Sequence, residues 1–216
     1  MRLSEQHRPK TLSEIVGQPP ARLLAAFAKE PYATCFALVG GAGVGKTSAA
    51  RALANELGCD EGGDLDVICA SELNTESVRE MLRSFQYRPM FGAWRVWIIE
   101  ELETLHPQSA TLLKVGLETL PDHMVVCATS NDTSRLNPAL LQRFNHLIFE
   151  CRDSFAKAGN IRLAEIAAKH YPGVALPKGW ERFGYDHAEE GRYSLRVALD
   201  KLQTQMMKHV NHTALV

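Results

Sequence analysis

The first 150 residues alternate short apolar runs with stretches of helical periodicity. FALV (36–39), DVICA (66–70), RVWII (95–99), MVVCAT (124–129) and LIF (147–149) are each too short and too continuous to be helices, and they read as buried strands. Between them, Lys46–Leu57 is built of strong helix formers. Asn74–Gln86 places Val78, Met81, Leu82 and Phe85 on one helical face, and Pro107–Thr119 has proline in its first turn, as helix starts prefer. Apolar strands alternating with amphipathic helices predict a five-stranded parallel sheet covered by helices on both faces, an α/β fold.

The pattern changes after Cys151. The last 66 residues contain no convincing strand and predict helices near Ser154–His170, Pro177–Ala188 and Tyr193–His209. They carry ten basic and seven acidic side chains, whereas residues 1–150 carry 14 and 18. Two units are therefore expected: an α/β core over 1–150 and a small all-helical module over 151–216, too small to be stable without leaning on the core.

Composition narrows the function. With 24 basic and 25 acidic residues the formal charge is −1, so bulk positive charge for coating DNA or a membrane is excluded, and any nucleic-acid contact has to be local. No apolar run approaches the ~20 residues of a spanning helix, and MRLSEQHRPK is not a secretory leader, so no membrane partner and a cytoplasmic location are expected. The five cysteines form no CxxC pair, and the eight histidines lack metal-binding spacing. Reduced, mostly buried thiols and no transition-metal site follow.

The most informative stretch is Gly40-Gly41-Ala42-Gly43-Val44-Gly45-Lys46-Thr47, with Ser48 next in line. It fits G-x-x-x-x-G-K-[ST] between a predicted strand and a predicted helix. Glycines let successive main-chain N–H groups converge on phosphates, and the following helix presents its positive end. Lys46 supplies a point charge for the β and γ phosphates of ATP or GTP. The Thr47 hydroxyl is placed to ligate Mg²⁺.

RVWII ends in Glu100-Glu101, where phosphate-loop enzymes hold the carboxylate that supports Mg²⁺. Glu100 is assigned to the metal, and Glu101 to general base on an attacking water. Asn131, at the end of the next strand, is a neutral amide suited to hold that water or touch the γ-phosphate.

Taken together these residues resemble the AAA+ ATPases, and among them the clamp-loader subunits of the replication factor C and bacterial γ/τ type. HRPKTLSEIVGQ (7–18) is similar to the family opening that flanks adenine, and ICASE (68–72) with Val78-Arg79 is similar to its NAS-x-x…VR segment. PMFGAWRVWIIEELETL (89–105) resembles P-x-x-G-x-x-K-V-x-x-I-D-E, and GRYSLRVALDKLQ (191–203) resembles the lid signature.

The resemblance implies a P-loop NTPase core of the AAA+ type followed by a lid, with ATP and Mg²⁺ as ligands. It puts Arg8, Pro9, Val16 and Gly17 around adenine and ribose, Asn131 at the first sensor and Arg196 at the second. Arg143, in LLQRF, falls on the arginine finger that reaches a neighbouring subunit's γ-phosphate. Arg79, Arg83 and Lys114 fall on helices that face DNA in the family's spiral. The partners implied are other clamp-loader subunits, a sliding clamp and primer–template DNA.

Several positions depart from the family. Glu100 replaces an aspartate, from which slow intrinsic hydrolysis is expected, and the finger lacks its flanking serine and cysteine. His7 replaces a frequent tyrosine. The missing zinc cysteines point toward the replication factor C, archaeal or phage-like branch. The sequence ends after the lid, so a collar domain is expected to be absent. Alternatives are an ATP-binding scaffold or finger donor with little hydrolysis, and a remodeller outside replication.

Overall fold

The computed structural model describes residues 2–134, 136–185 and 192–213, with side chains described through residue 207. Two short helical pieces come first: helix α1 (Leu3–Gln6) and a 3-10 turn at Leu12–Glu14. Helix α2 (Pro19–Phe27) follows, which the periodicity did not predict. Its PPARLLAAF sequence opens on two prolines. Proline at the first helical positions lacks only an N–H that would be unsatisfied there anyway.

The core then runs β1 (Thr34–Gly40), α3 (Lys46–Glu56), β2 (Leu65–Cys69), α4 (Thr75–Ser84), β3 (Arg95–Glu100), α5 (Pro107–Gly116), β4 (Met124–Ser130), α6 (Pro138–Leu141) and β5 (Asn145–Phe149). All five predicted strands are present; four extend one or two residues past their expected ends, and β2 is shifted by one residue, because Ala70 opens a 3-10 turn (Ala70–Glu72). Asn74 caps α4 by accepting from the N–H groups of Glu76 and Ser77, both at 2.9 Å. Asn137 does the same for α6 through Ala139.

The strands pair in parallel in the order β2-β3-β4-β1-β5. Every residue of central β4 is buried, whereas edge strand β5 buries only Leu147 and Phe149. Alternation along β1 separates the two faces. Phe36 and Leu38 join a cluster with α2, α3 and the C-terminal helices, while Cys35 and Ala37 join a second cluster with α4 and α5. Each fully buried leucine, such as Leu38 or Leu53, contributes about 1.5–3 kcal/mol relative to exposure.

Helices α7 (Asp153–His170) and α8 (Leu195–Thr213) complete the chain. Their buried Phe155, Leu163, Leu202 and Met206 belong to the same cluster as β1 and α3. Tyr193 ties this region together. Its ring packs edge-on against Phe155 and Tyr185, its hydroxyl donates to Asn160 Oδ1 at 2.9 Å, and its main-chain N–H meets the Cys151 sulfur at 2.8 Å.

The helix expected over 177–188 is corrected. Its described part is a 3-10 turn at Trp180–Arg182, with Tyr185 bridged to Tyr193, and residues 186–188 lie outside the described residues, as does Gly191 of the lid signature. Pro177, Gly179 and Gly184 are poor helix formers, and together they outweigh the periodic apolar positions between them.

Candidate nucleotide-binding site

Because the strands are parallel, their C-terminal ends lie along one edge of the sheet. Gly40 is level with Phe149, Val39 with Ser130, and Cys69 with Glu100. After β1 the chain crosses to β2 on the far side of the sheet, while β5 lies beside β1. That reversal of strand order opens a crevice at the strand ends, where open α/β sheets place their ligands. The crevice has a volume of about 460 Å³ and receives the loop after β1, the start of α3, the ends of β3 and β4, and residues from both chain ends.

Gly43, Gly45, Lys46, Thr47 and Ser48 line it, with Ala42 beside them. Gly43 has φ 75° and packs so tightly against Ser194, just before α8, that an added Cβ would lie 1.9 Å from the serine Oγ. Only glycine fits there, and the contact joins the loop directly to the C-terminal helical region. Gly45 caps α3 in the left-handed conformation, so the first turn of that helix opens onto the crevice. Gly40, Gly41 and Val44 of the same loop are not among the residues lining the crevice: the carbonyls of Gly40 and Gly41 accept from Lys46, and Val44 is buried.

Lys46 is 8% exposed. Its ammonium donates to Gly40 O and Gly41 O, both at 2.7 Å, and to Asn131 Oδ1 at 2.9 Å. Burial lowers its pKa to about 8. Glu103 and Glu101 act to raise it, and Arg196 acts to lower it. A buried cation held at a helix start in a polar crevice is a ready partner for phosphate.

Glu100 and Glu101 both line the crevice. Glu101 is the one non-glycine among the described residues with positive φ (55°, ψ 50°), a conformation that costs a non-glycine residue on the order of 1 kcal/mol and that gathers at functional sites. Its N–H donates to Thr129 Oγ1 at 3.3 Å, and its carbonyl accepts from the N–H and hydroxyl of Thr104, each at 2.8 Å. Asn131, directly after β4, lines the crevice as well.

For Mg²⁺, the donors available are the Thr47 hydroxyl and the Glu100 carboxylate. These are hard oxygens of the kind Mg²⁺ takes one or two at a time, the remainder coming from phosphate and water. Among the described residues no group of three or more His, Cys, Asp or Glu is arranged as a metal cage. The donor set fits Mg²⁺ held jointly with a phosphate ligand and does not fit a protein-only metal centre.

A narrower apolar recess, about 90 Å³, adjoins the crevice. Pro9, Val16, Val44, Phe155 and Leu199 line it, and Arg8 and Arg196 line both spaces. Gly17 is not among the lining residues. It has φ 65° and lies so near α7 that a Cβ would come 2.7 Å from the Phe155 Cα. His7, also at the recess, sits with its Nε2 2.5 Å from that of His170. Burial and the neighbouring His170, Lys169 and Arg162 hold its pKa below the usual histidine value.

The other expected residues lie elsewhere. Arg143 follows α6, outside the crevice, and forms an ion pair with Glu118. Arg79 and Arg83 are exposed on α4, where both reach Glu76, at 3.1 and 3.8 Å. Lys114 is half-buried on α5, which packs against α4.

Several crevice residues carried no sequence signal. Arg2, Ser4 and Glu5 arrive because α1 docks on α8: Leu3 N–H donates to Gln203 Oε1 at 2.9 Å, and the Ser4 hydroxyl to Asp200 Oδ1 at 3.0 Å. Arg51 was legible only as a position on the helix after the phosphate loop. It reaches the crevice while pairing with Glu61.

A parallel sheet with a phosphate loop after β1 and paired acids after β3 defines a P-loop NTPase. A family model for the ATPase family associated with various cellular activities (AAA) matches residues 36–151, more than half of the sequence, and the chain belongs to that family. It is 30% identical over 168 residues to DNA polymerase III subunit tau of Escherichia coli K12, covering 65% of this chain and 26% of that protein. It is 29% identical over 166 residues to the tau/gamma subunit of Haemophilus influenzae, covering 65% and 24%. The chain thus spans about a quarter of the length of these relatives. They are of the bacterial γ/τ type, whereas the missing zinc cysteines pointed toward the replication factor C, archaeal or phage-like branch.

Among solved structures, the Thermotoga maritima RuvB Holliday junction branch migration motor superposes with a TM-score of 0.69 at 24% identity, over 94% of this chain and 67% of that one. A DNA polymerase III gamma subunit-related protein from the same organism gives 0.54 at 13% identity, over 68% and 51%. At those identities the likeness speaks for the fold alone. Among the described residues no helix is long and apolar enough to cross a membrane.

Proposed function

We propose that the chain is a clamp-loader-like ATPase subunit, in which residues 1–150 form the catalytic core and 151–216 the lid carrying Arg196. The observation that carries this reading is spatial. Lys46, Thr47, Glu100, Glu101 and Asn131 share one crevice, while Arg143 projects from a different part of the surface. A site of that kind is completed by a neighbour's guanidinium, whose permanent charge and planar fork suit a γ-phosphate.

In this reading Lys46 and the loop amides bind the triphosphate, and Arg8, Pro9 and Val16 bound the space for the base. Thr47 and Glu100 would hold Mg²⁺, which supplies charge neutralisation on the phosphates. Glu101 accepts a proton from the attacking water, and the Asn131 amide orients that water. Arg196 spans the crevice and the recess from α8, so nucleotide contact there pulls the lid toward the core. A sliding clamp, neighbouring clamp-loader subunits and primer–template DNA are the partners the γ/τ relatives suggest, and the cytoplasm is the location they suggest. Arg79, Arg83 and Lys114 are the DNA-facing cations in this scheme.

One observation favours a second reading, an ATP-binding scaffold or finger donor that scarcely hydrolyses. Glu100 carries one methylene more than the aspartate expected at the metal, which displaces the carboxylate that supports the ion.

Glu101→Gln tests the first reading: with neighbouring subunits, clamp and primed DNA present, ATP turnover falls by roughly 10²–10⁴ while ATP binding persists. Turnover equal to that of the unmodified chain contradicts it. Negligible turnover in both, with tight binding, selects the scaffold.

A further inference from the structure

Glu103 is absent from the roles assigned above, and the motif that ends at Glu101 does not reach it. It sits in the 3-10 turn Leu102–Thr104, two residues beyond Glu101. Its Oε1 accepts twice from Asn131, from the main-chain N–H at 3.1 Å and from Nδ2 at 2.9 Å. Its Oε2 is buried, with no hydrogen-bond partner among the described residues.

An asparagine amide has a donor end and an acceptor end, and which end faces a ligand depends on what holds the other. With Nδ2 turned to Glu103, Oδ1 is delivered to Lys46 at 2.9 Å, where it takes the third ammonium proton beside the two taken by Gly40 O and Gly41 O. Resting on the reading that Lys46 and Asn131 meet the phosphates, we propose that Glu103 is a positioning residue: it fixes the orientation of the Asn131 amide and, through it, the resting place of the Lys46 ammonium. Removing the carboxylate frees the amide to turn over, and two donors would then face each other.

The electrostatics point the same way. Lys46 faces three charged groups from two parts of the chain: Glu103 and Glu101, both in the turn after β3, which favour its ammonium form, and Arg196 on α8, which opposes it. Glu103 is the largest of the favourable ones. Its buried Oε2 has no hydrogen-bond partner among the described residues, so the carboxylate engages this relay through Oε1.

The experiment is ATP affinity at pH 7, measured by calorimetry on the full chain for Glu103→Ala, Asn131→Ala and the double variant, compared at matched melting temperature. E103A weakens affinity about tenfold, and the double variant binds no more weakly than N131A alone, because Glu103 acts through the Asn131 amide. Glu103→Gln, which keeps an acceptor oxygen for that amide, loses less than E103A. Additive losses in the double variant, or an affinity of E103A equal to that of the unmodified chain, overturn the proposal. If the unmodified chain binds no ATP, or Lys46→Ala binds it equally well, the nucleotide-site reading itself fails, and that result is distinct from additive losses.

Discussion

Gly43 of the phosphate loop and Ser194 at the start of the last helix are in direct contact, close enough that a Cβ on the glycine would sit 1.9 Å from the serine Oγ. The loop that faces phosphate is thus also a packing surface for the C-terminal helical region. Gly43→Ala meets two obstacles there, a φ of 75° and the Ser194 side chain. It is expected to lower the melting temperature by several degrees and to weaken ATP binding at least tenfold. Ser194→Gly in the same chain removes the collision but not the backbone strain, and should recover part of both losses. Thermal unfolding with and without ATP reads both effects.

The sequence disclosed what is local and hid what is brought together by folding. The phosphate loop, the acidic pair and Asn131 were legible because each sits where a strand ends, and parallel strands deliver their ends to one edge. The helix expected over Lys46–Leu57, observed over Lys46–Glu56, follows from the same pattern. Ser4 and Asp200 are 196 residues apart and meet only because α1 docks on α8, which no spacing rule anticipates. Gly17 was placed at the adenine by motif position, yet its lack of a side chain serves the approach of α7. Over the described part of 177–188 the chain makes only a 3-10 turn, because Pro177, Gly179 (φ 74°) and Gly184 disfavour a continuous helix.

Asp64 offers a check of the fold away from the crevice. It is 1% exposed and accepts from the N–H groups of Met90 (2.7 Å) and Phe91 (2.9 Å), holding the loop before β3. Burial works to raise its pKa, but the amides of Met90, Phe91 and Gly92 together with Arg95 bring it below the usual aspartate value. A depressed carboxylate stabilises the fold above its unfolded pKa, near 4, and loses that contribution as pH falls through the lower folded value. Asp64→Asn is therefore expected to cost about 1–3 kcal/mol at pH 7 and to remove part of the acid sensitivity below pH 4. Melting curves from pH 7 to pH 3 that match those of the unmodified chain contradict this.

Arg143 is expected to matter only to a neighbour. Its ion pair with Glu118 is exposed, and such pairs contribute about 0–1 kcal/mol, so Arg143→Ala should leave the melting temperature and ATP affinity of the isolated chain nearly unchanged. In an assembly with neighbouring subunits the same substitution should reduce turnover by roughly 10³–10⁵. Equal loss in the isolated chain and in the assembly would place the arginine's effect in its own crevice, against the geometry.

The central claim is that the crevice at the strand ends holds a nucleoside triphosphate through Lys46 and the loop amides. Equilibrium titration of the full chain with Mg-ATP at pH 7, set beside Lys46→Ala, tests it most directly. The account predicts saturable one-to-one binding by the unmodified chain and a loss of at least a hundredfold in the variant, with both proteins melting within a few degrees of each other. Binding of equal strength in both, or none in either, would contradict it.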